Sequence, residues 1–155
     1  MKFSEFVVRD AIISDLKSTD RDAVLKELVG ALAEVGALPD DAVDEVVEAL
    51  IKREKNGSTG FGKGVAVPHV KHPRIKKMAA TLGRSVNGVD FAALDHQPVY
   101  SVVLLLSPEN QPQQHLQAMN IVFTSLQKDT FRRFLRQSAT REAIADLLDE
   151  ADQGK

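Results

Sequence analysis

The chain has 155 residues, of which 43% are hydrophobic and 27% charged, with a formal net charge of −2. This balance is typical of a globular domain and excludes a wholly disordered chain. No apolar run approaches the roughly 18 residues of a transmembrane helix, and no apolar segment of a signal peptide follows Met1. Cysteine is absent, which excludes disulfides and thiolate metal sites and fits a reducing compartment. We expect one cytoplasmic domain over 1–155, without membrane insertion or cofactor.

The first third of the chain predicts two helices. A short apolar piece at Ile12-Ile13 is a possible strand, and Ser18 or Thr19 offers an N-cap for a helix that reaches Gly36. A second helix starts at Pro39 and stops at Asn56-Gly57, a pair suited to a left-handed C-cap. Its predicted buried face consists of Val43, Val46, Val47, Leu50 and Ile51.

The rest of the chain predicts strands followed by helices. Buried strands are expected at 65–67, 79–86 and 99–106, and the last of these is almost continuously apolar. Pro112 begins a helix, and Asp129 and Thr140 open two shorter ones. The apolar faces of these three helices include Leu116, Met119, Val122, Leu126, Phe131, Phe134, Leu135, Ile144 and Leu148. Strands buried between helices predict an α/β fold, a three-layer α/β/α sandwich with a mixed central sheet.

Charge is unevenly distributed along the chain. Between Glu54 and Asp90 there is no acidic residue, while lysines and arginines recur. Such a stretch is most often a solvated face, and it otherwise indicates an anion site or an acidic partner. A nucleic-acid site is disfavoured because Phe61 is the one aromatic residue in the stretch.

A cluster of glycines lies inside this basic stretch, at Gly57, Gly60, Gly62 and Gly64, and we call residues 57–64 the glycine loop. Glycine permits positive φ and lets backbone N–H groups converge on an anion. The run from Gly57 to Lys63 also matches G-x-x-x-x-G-K of nucleotide-binding loops. That interpretation is rejected because the next residue is glycine rather than Ser or Thr, and because the loop follows a helix instead of a strand.

His69 follows this loop in the sequence Val-Ala-Val-Pro-His. A neutral imidazole, with an ordinary pKa of about 6.5, is a nucleophile at neutral pH. Together with the glycine loop and neighbouring cations, it favours phosphoryl acceptance, which needs mainly positioning and charge stabilisation. The four histidines also suggest a metal site, but His69 and His72 are followed by Pro73, which disfavours a shared helix face. We therefore predict no metal.

The run from Arg53 to His69 resembles the signature of enzyme IIA domains of the phosphoenolpyruvate-dependent phosphotransferase system, of the fructose/mannitol/nitrogen-regulatory type. The resemblance implies an α/β/α sandwich in which His69 is phosphorylated by the histidine of a phosphocarrier protein, HPr or its nitrogen-branch counterpart. It also implies that the histidine of His115-Leu116 contacts the phosphoryl group and that Arg53 lies nearby. The expected catalytic residues are His69 and His115, and the expected phosphoryl-binding residues are Arg53, Thr59, Gly60, Gly62, Lys63 and Gly64.

The chain departs from the family pattern after the active histidine, where Val70 replaces the common glycine. It has no cysteine for a IIB domain, so it is most similar to the standalone nitrogen-regulatory branch. Expected partners are a phosphocarrier and either a IIB protein or a regulatory target such as a kinase or transporter. Two hypotheses follow: a phosphotransfer protein for nitrogen regulation or sugar transport, or a docking module of the same fold that no longer transfers phosphate.

Overall fold

The computed structural model describes residues 1–154, and one long apolar strand lies at its centre. This strand, β4 (Val99–Pro108), pairs in parallel with β1 (Val65–Ala66) and β2 (His69–His72) along one edge. Its other edge pairs antiparallel with β3 (Ala79–Val89). The sheet is therefore mixed, as the sequence predicts.

Helices cover both faces of the sheet. Side chains alternate along β4: Val102 and Leu104 belong to one apolar cluster, and Val103 and Leu105 belong to another. The first cluster is completed by two helices and the second by three, which makes the predicted α/β/α sandwich. The helices are α1 (Arg21–Glu34), α2 (Val43–Lys55), α3 (Pro112–Leu126), α4 (Asp129–Gln137) and α5 (Arg141–Asp152).

Local signals place several helix ends, but α2 begins at Val43 rather than at Pro39, because residues 40–42 first form a 3-10 turn. Thr140 caps α5 by accepting a hydrogen bond from the backbone N–H of Ala143, as predicted. The cap of α1 is Asp20 rather than Ser18 or Thr19, because its carboxylate accepts from the N–H of Ala23.

Two residues assigned to buried helix faces are in fact largely exposed. Leu116 of α3 is 61% exposed and Phe134 of α4 is 54% exposed. Leu116 and Phe134 lie outside the buried face of their helices and point toward solvent, while Met119 of α3 and Phe131 and Leu135 of α4 stay buried.

The N-terminal segment runs beside β3 and extends the sheet. Its possible strand at Ile12-Ile13 is reduced to a bridge, in which Ile13 pairs with Gly83 in parallel. Gly83 leaves room for this packing, because a Cβ there would lie 2.8–2.9 Å from the side chains of Leu16 and Leu28. Among the helices of residues 1–154, none combines the length and the hydrophobicity that crossing a bilayer requires.

Candidate functional site

His69 begins β2, opposite Leu105 of β4, and its imidazole is fixed by the backbone. Its Nδ1 lies 2.8 Å from the carbonyl oxygen of Val67. A carbonyl can only accept a hydrogen bond, so Nδ1 carries the hydrogen. In a neutral ring the lone pair is then on Nε2, which is the nucleophilic atom of this histidine.

His115 lies in the first turn of α3 and faces His69. The two ring centroids are 5.6 Å apart, with an angle of 45° between the ring planes. The side chain is buried, with 9% of the residue exposed. A histidine in the first turn of a surface helix is commonly solvated, whereas this one is held inside the site.

Ser107, near the end of β4, fixes the His115 ring. Its Oγ lies 2.7 Å from His115 Nδ1, and the residue is 0% exposed. Within residues 1–154 this hydroxyl has no other hydrogen-bond partner. If Nδ1 were the donor, the hydroxyl hydrogen would be buried without an acceptor, which is costly. The hydroxyl therefore donates to Nδ1, and the hydrogen of a neutral His115 is on Nε2.

The surroundings favour the neutral form of both histidines. Burial lowers the pKa of His69 below its ordinary value, and the positive charges of Arg53 and Lys71 lower it further. Burial, followed by repulsion from His69 and Lys71, lowers the pKa of His115 to about 4. The site thus pairs a nucleophilic nitrogen on one ring with a potential N–H donor on the other.

Arg53 and Glu54, in the last turn of α2, support the site from the side. Arg53 donates from Nη1 to the carbonyl of Gly57 at 2.8 Å. Glu54 is buried and accepts from both the N–H and the hydroxyl of Thr59, at 3.0 and 2.7 Å. Both donors of Thr59 are engaged by Glu54, and its carbonyl accepts from Val67 N–H. Thr59 thereby ties α2 to the segment that holds His69.

The glycine loop leads away from His69. Gly60 packs against Ala93, and its carbonyl accepts from Leu94 N–H. Gly62 and Gly64 have positive φ, at +110° and +76°, a backbone region that glycine adopts without steric cost. The Gly64 carbonyl accepts from the N–H groups of Tyr100 and Ser101 at the start of β4.

The register of β4 sets the distance between the loop and His69. Val65 lies opposite Ser101 and His69 opposite Leu105, a separation of about 13 Å along the strand at roughly 3.3 Å per residue. The structure therefore brings His69 and His115 together, with Arg53 near enough to lower the pKa of His69. It pairs the Gly64 end of the loop with the start of β4, and phosphoryl binding by Gly62, Lys63 and Gly64 stays a prediction.

The remaining histidines have separate surroundings. His72 is three residues beyond His69 on the same strand, so the two side chains point to opposite faces of the sheet. Its Nδ1 accepts from Arg74 N–H at 3.1 Å. His96 has φ +59° in a turn after Ala93.

Comparison with known proteins places this geometry in a family. The model of the family "Phosphoenolpyruvate-dependent sugar phosphotransferase system, EIIA 2" matches residues 5–151. The chain belongs to this family. Members of the EIIA 2 family are phosphotransferase-system components, so the resemblance of the Arg53–His69 run is confirmed at the level of the family.

Relatives of this EIIA chain fall in two branches. It is 36% identical over 148 residues to a nitrogen regulatory protein of Bradyrhizobium diazoefficiens, covering 96% of this chain and 95% of the relative. It is 32% identical over 153 residues to the fructose-specific EIIABC component of Bacillus subtilis, covering 99% of this chain but 24% of that protein. The chain thus spans about a quarter of the second relative. The crystal structure of the nitrogen regulatory protein IIA-Ntr from Neisseria meningitidis superposes with a TM-score of 0.84 at 29% identity, covering 94% and 98% of the two chains.

The sequence analysis misses three features of the candidate site: the Val67 carbonyl, Glu54 and Ser107. The Val67 carbonyl carries no sequence signal, because any residue supplies one. Glu54 belongs to the Arg53–His69 run, but its hydrogen bonds with Thr59 depend on α2 ending at Lys55. Ser107 has a weak signal: it is a hydroxyl at the end of an apolar strand, eight residues before His115.

Proposed function

We propose that this protein accepts a phosphoryl group on Nε2 of His69 from the phosphohistidine of an HPr-like phosphocarrier, and passes it on or displays it as a regulatory signal. The observation that carries the proposal is the 2.8 Å contact between His69 Nδ1 and the Val67 carbonyl, which leaves Nε2 as the nucleophile.

The proposed transfer is balanced without a metal or a co-reactant. The Nε2 lone pair forms a bond to phosphorus as the P–N bond to the carrier's histidine breaks, and that electron pair returns to the carrier's ring nitrogen. The proton on His69 Nδ1 stays in place, held by the Val67 carbonyl. When the phosphoryl group later leaves, His69 departs as a neutral imidazole rather than an anionic one, which keeps the onward step accessible.

His115 is proposed to stabilise the transferred group. Its Nε2–H faces His69 across a centroid distance of 5.6 Å, and can donate to a phosphoryl oxygen. Arg53 adds positive charge near the same oxygens, weakened by its contact with solvent. The donors are arranged before the group arrives, so they need little reorganisation during transfer.

The surface around His69 and His115 suits a protein as the phosphoryl donor. Leu116, directly after His115, is 61% exposed and adds apolar surface beside the histidines. We propose HPr or a nitrogen-branch phosphocarrier as donor, and a IIB protein or a regulatory target such as a kinase or transporter as the next partner. Similarity along nearly the whole length of the Bradyrhizobium protein supports nitrogen regulation over sugar transport. The proposal places the protein in the cytoplasm, in keeping with a sequence that has no cysteine.

Intact mass spectrometry after incubation with phosphoenolpyruvate, enzyme I and phosphocarrier tests this function. We expect one acid-labile phosphoryl group on the wild-type protein and none on His69→Ala. His72→Ala is the matched control, since it removes a histidine of the same strand from the other face, and it should be labelled normally. Labelling of His69→Ala at the wild-type level would refute the assignment. An unlabelled wild type would favour the docking module instead.

A further inference from the structure

A second basic site lies at the opposite end of β4 from His69. It is a pocket of about 610 Å³ between β3, β4, α4 and the glycine loop. We call it the arginine pocket, after its basic lining residues Lys63, Arg84, Arg132, Arg133 and Arg136. Asp129 is the one acidic residue among the described residues that line it.

Two of these arginines are fixed by backbone carbonyls. Arg84 donates from Nε to the carbonyl of Arg136 at 2.6 Å and from Nη1 to that of Ser14 at 3.1 Å. Arg132 donates from Nη1 to the carbonyl of Leu126 at 2.6 Å. Carbonyls hold the guanidinium groups in place but do not cancel their charge, and each group keeps free N–H donors.

A third arginine is positioned by an aromatic ring. The guanidinium carbon of Arg136 lies 3.5 Å from the centroid of the Tyr100 ring. Two glycines make room for this ring: a Cβ at Gly64 would lie 3.3 Å from it, and one at Gly88 would lie 3.2 Å from it. Gly64 of the glycine loop thus helps to shape this pocket.

The positive charge of the pocket is almost uncompensated. Within residues 1–154, the cations of the arginine pocket form one ion pair, between Arg132 and Asp129 at 3.4 Å. The Asp129 side chain in this pair is 81% exposed. Lys63 adds its charge from a left-handed backbone, φ +62°, which is strained for a residue other than glycine. Repulsion among clustered cations and backbone strain both cost stability, so the arrangement favours a role in binding an anion.

We propose that the arginine pocket binds a small anion with two linked phosphate groups, at a site separate from His69. Its volume is within the range of small-molecule sites, about 300–1,000 Å³. The excess of four cations over acids suits the several negative charges of a diphosphate. Planar guanidinium groups bind phosphate oxygens in pairs. The anion would bridge α4 to the start of β4.

Titration with inorganic pyrophosphate, followed by amide NMR and calorimetry, tests the proposal. We expect saturable shifts of the amide signals of Gly64, Tyr100 and Arg133, tighter binding than for orthophosphate, and weakening with added salt. The double variant Arg133→Gln/Arg136→Gln should lose at least about tenfold in affinity, as expected for two charged contacts. The charge-matched control Lys26→Gln/Lys52→Gln, on α1 and α2, should bind as the wild type does.

A second variant separates binding from folding. Lys63→Gly removes a charge and relieves the positive φ, so it should weaken pyrophosphate binding several-fold while the unfolding midpoint stays the same or rises. The proposal is overturned if no saturable shifts occur, if the double variant binds as tightly as the control, or if the shifts are confined to His69 and His115. Labelling of His69 is a separate readout, and Arg133→Gln should leave it unchanged.

Discussion

Ser107→Ala removes the hydroxyl that holds the tautomer of His115, at an Oγ–Nδ1 distance of 2.7 Å. Both residues are buried, so the lost bond should cost about 1–3 kcal/mol of unfolding free energy. Without the hydroxyl, the hydrogen of His115 can shift to Nδ1, and Nε2 then no longer donates to a phosphoryl oxygen. Complete loss of one preorganised donor costs roughly 2.7–4 kcal/mol of barrier. Because the tautomer shifts only in part, we expect phosphorylation of Ser107→Ala to slow by about tenfold, less than that of His115→Ala.

Rapid-quench phosphorylation and ¹⁵N NMR of the histidine rings measure the two effects together. Wild-type His115 should be protonated on Nε2, and Ser107→Ala should show a mixture of tautomers. Ser125→Ala is the control, since it removes another buried serine hydroxyl, on α3, with no bond to either histidine. A wild-type His115 protonated on Nδ1, or an unchanged rate in Ser107→Ala, would refute the reasoning.

Three further predictions concern stability. Leu50→Ala should cost about 2–5 kcal/mol in urea unfolding, because Leu50 is 0% exposed between α2 and the sheet; an unchanged midpoint would exclude it from the core. Gly83→Ala should cost about 1–3 kcal/mol, since its Cβ would meet Leu16 and Leu28 at 2.8–2.9 Å, and a stabilised variant would contradict this packing. Between about pH 6.5 and about pH 4, His115 is protonated in the unfolded chain but stays neutral in the folded protein, where its pKa is about 4. The free energy of unfolding should therefore decline by up to about 3 kcal/mol as pH falls through that range, and it should decline less in His115→Gln. Equal declines in the two proteins would contradict the claim that burial lowers the pKa of His115.

Much of the fold follows from local signals. Apolar periodicity predicts α2, α4 and α5, the cap at Thr140 fixes the start of α5, and the almost continuous apolar run predicts β4 as the central strand. β2 escapes prediction, because three of its four residues are polar and Val70 is the only apolar one. It becomes a strand by pairing with β4. The N-terminal edge beside β3 is likewise a product of tertiary pairing.

The candidate site is predictable in its residue types but not in its geometry. Family resemblance predicts the pairing of His69 and His115, and the centroid distance agrees with it. The glycine loop is adjacent to His69 in sequence, yet the extended segment between them carries Gly64 to the other end of β4. Sequence proximity cannot reveal which end of a strand a loop occupies, and it cannot reveal a carbonyl acceptor such as that of Val67.

The most direct test of the central claim is the position of phosphate on the His69 ring. NMR of the ¹⁵N-labelled, phosphorylated protein distinguishes Nε2 from Nδ1 phosphohistidine. Because the Val67 carbonyl occupies Nδ1–H at 2.8 Å, phosphorus should be bonded to Nε2, with Nδ1 still protonated. Phosphorus on Nδ1, or on any residue other than His69, would contradict the account.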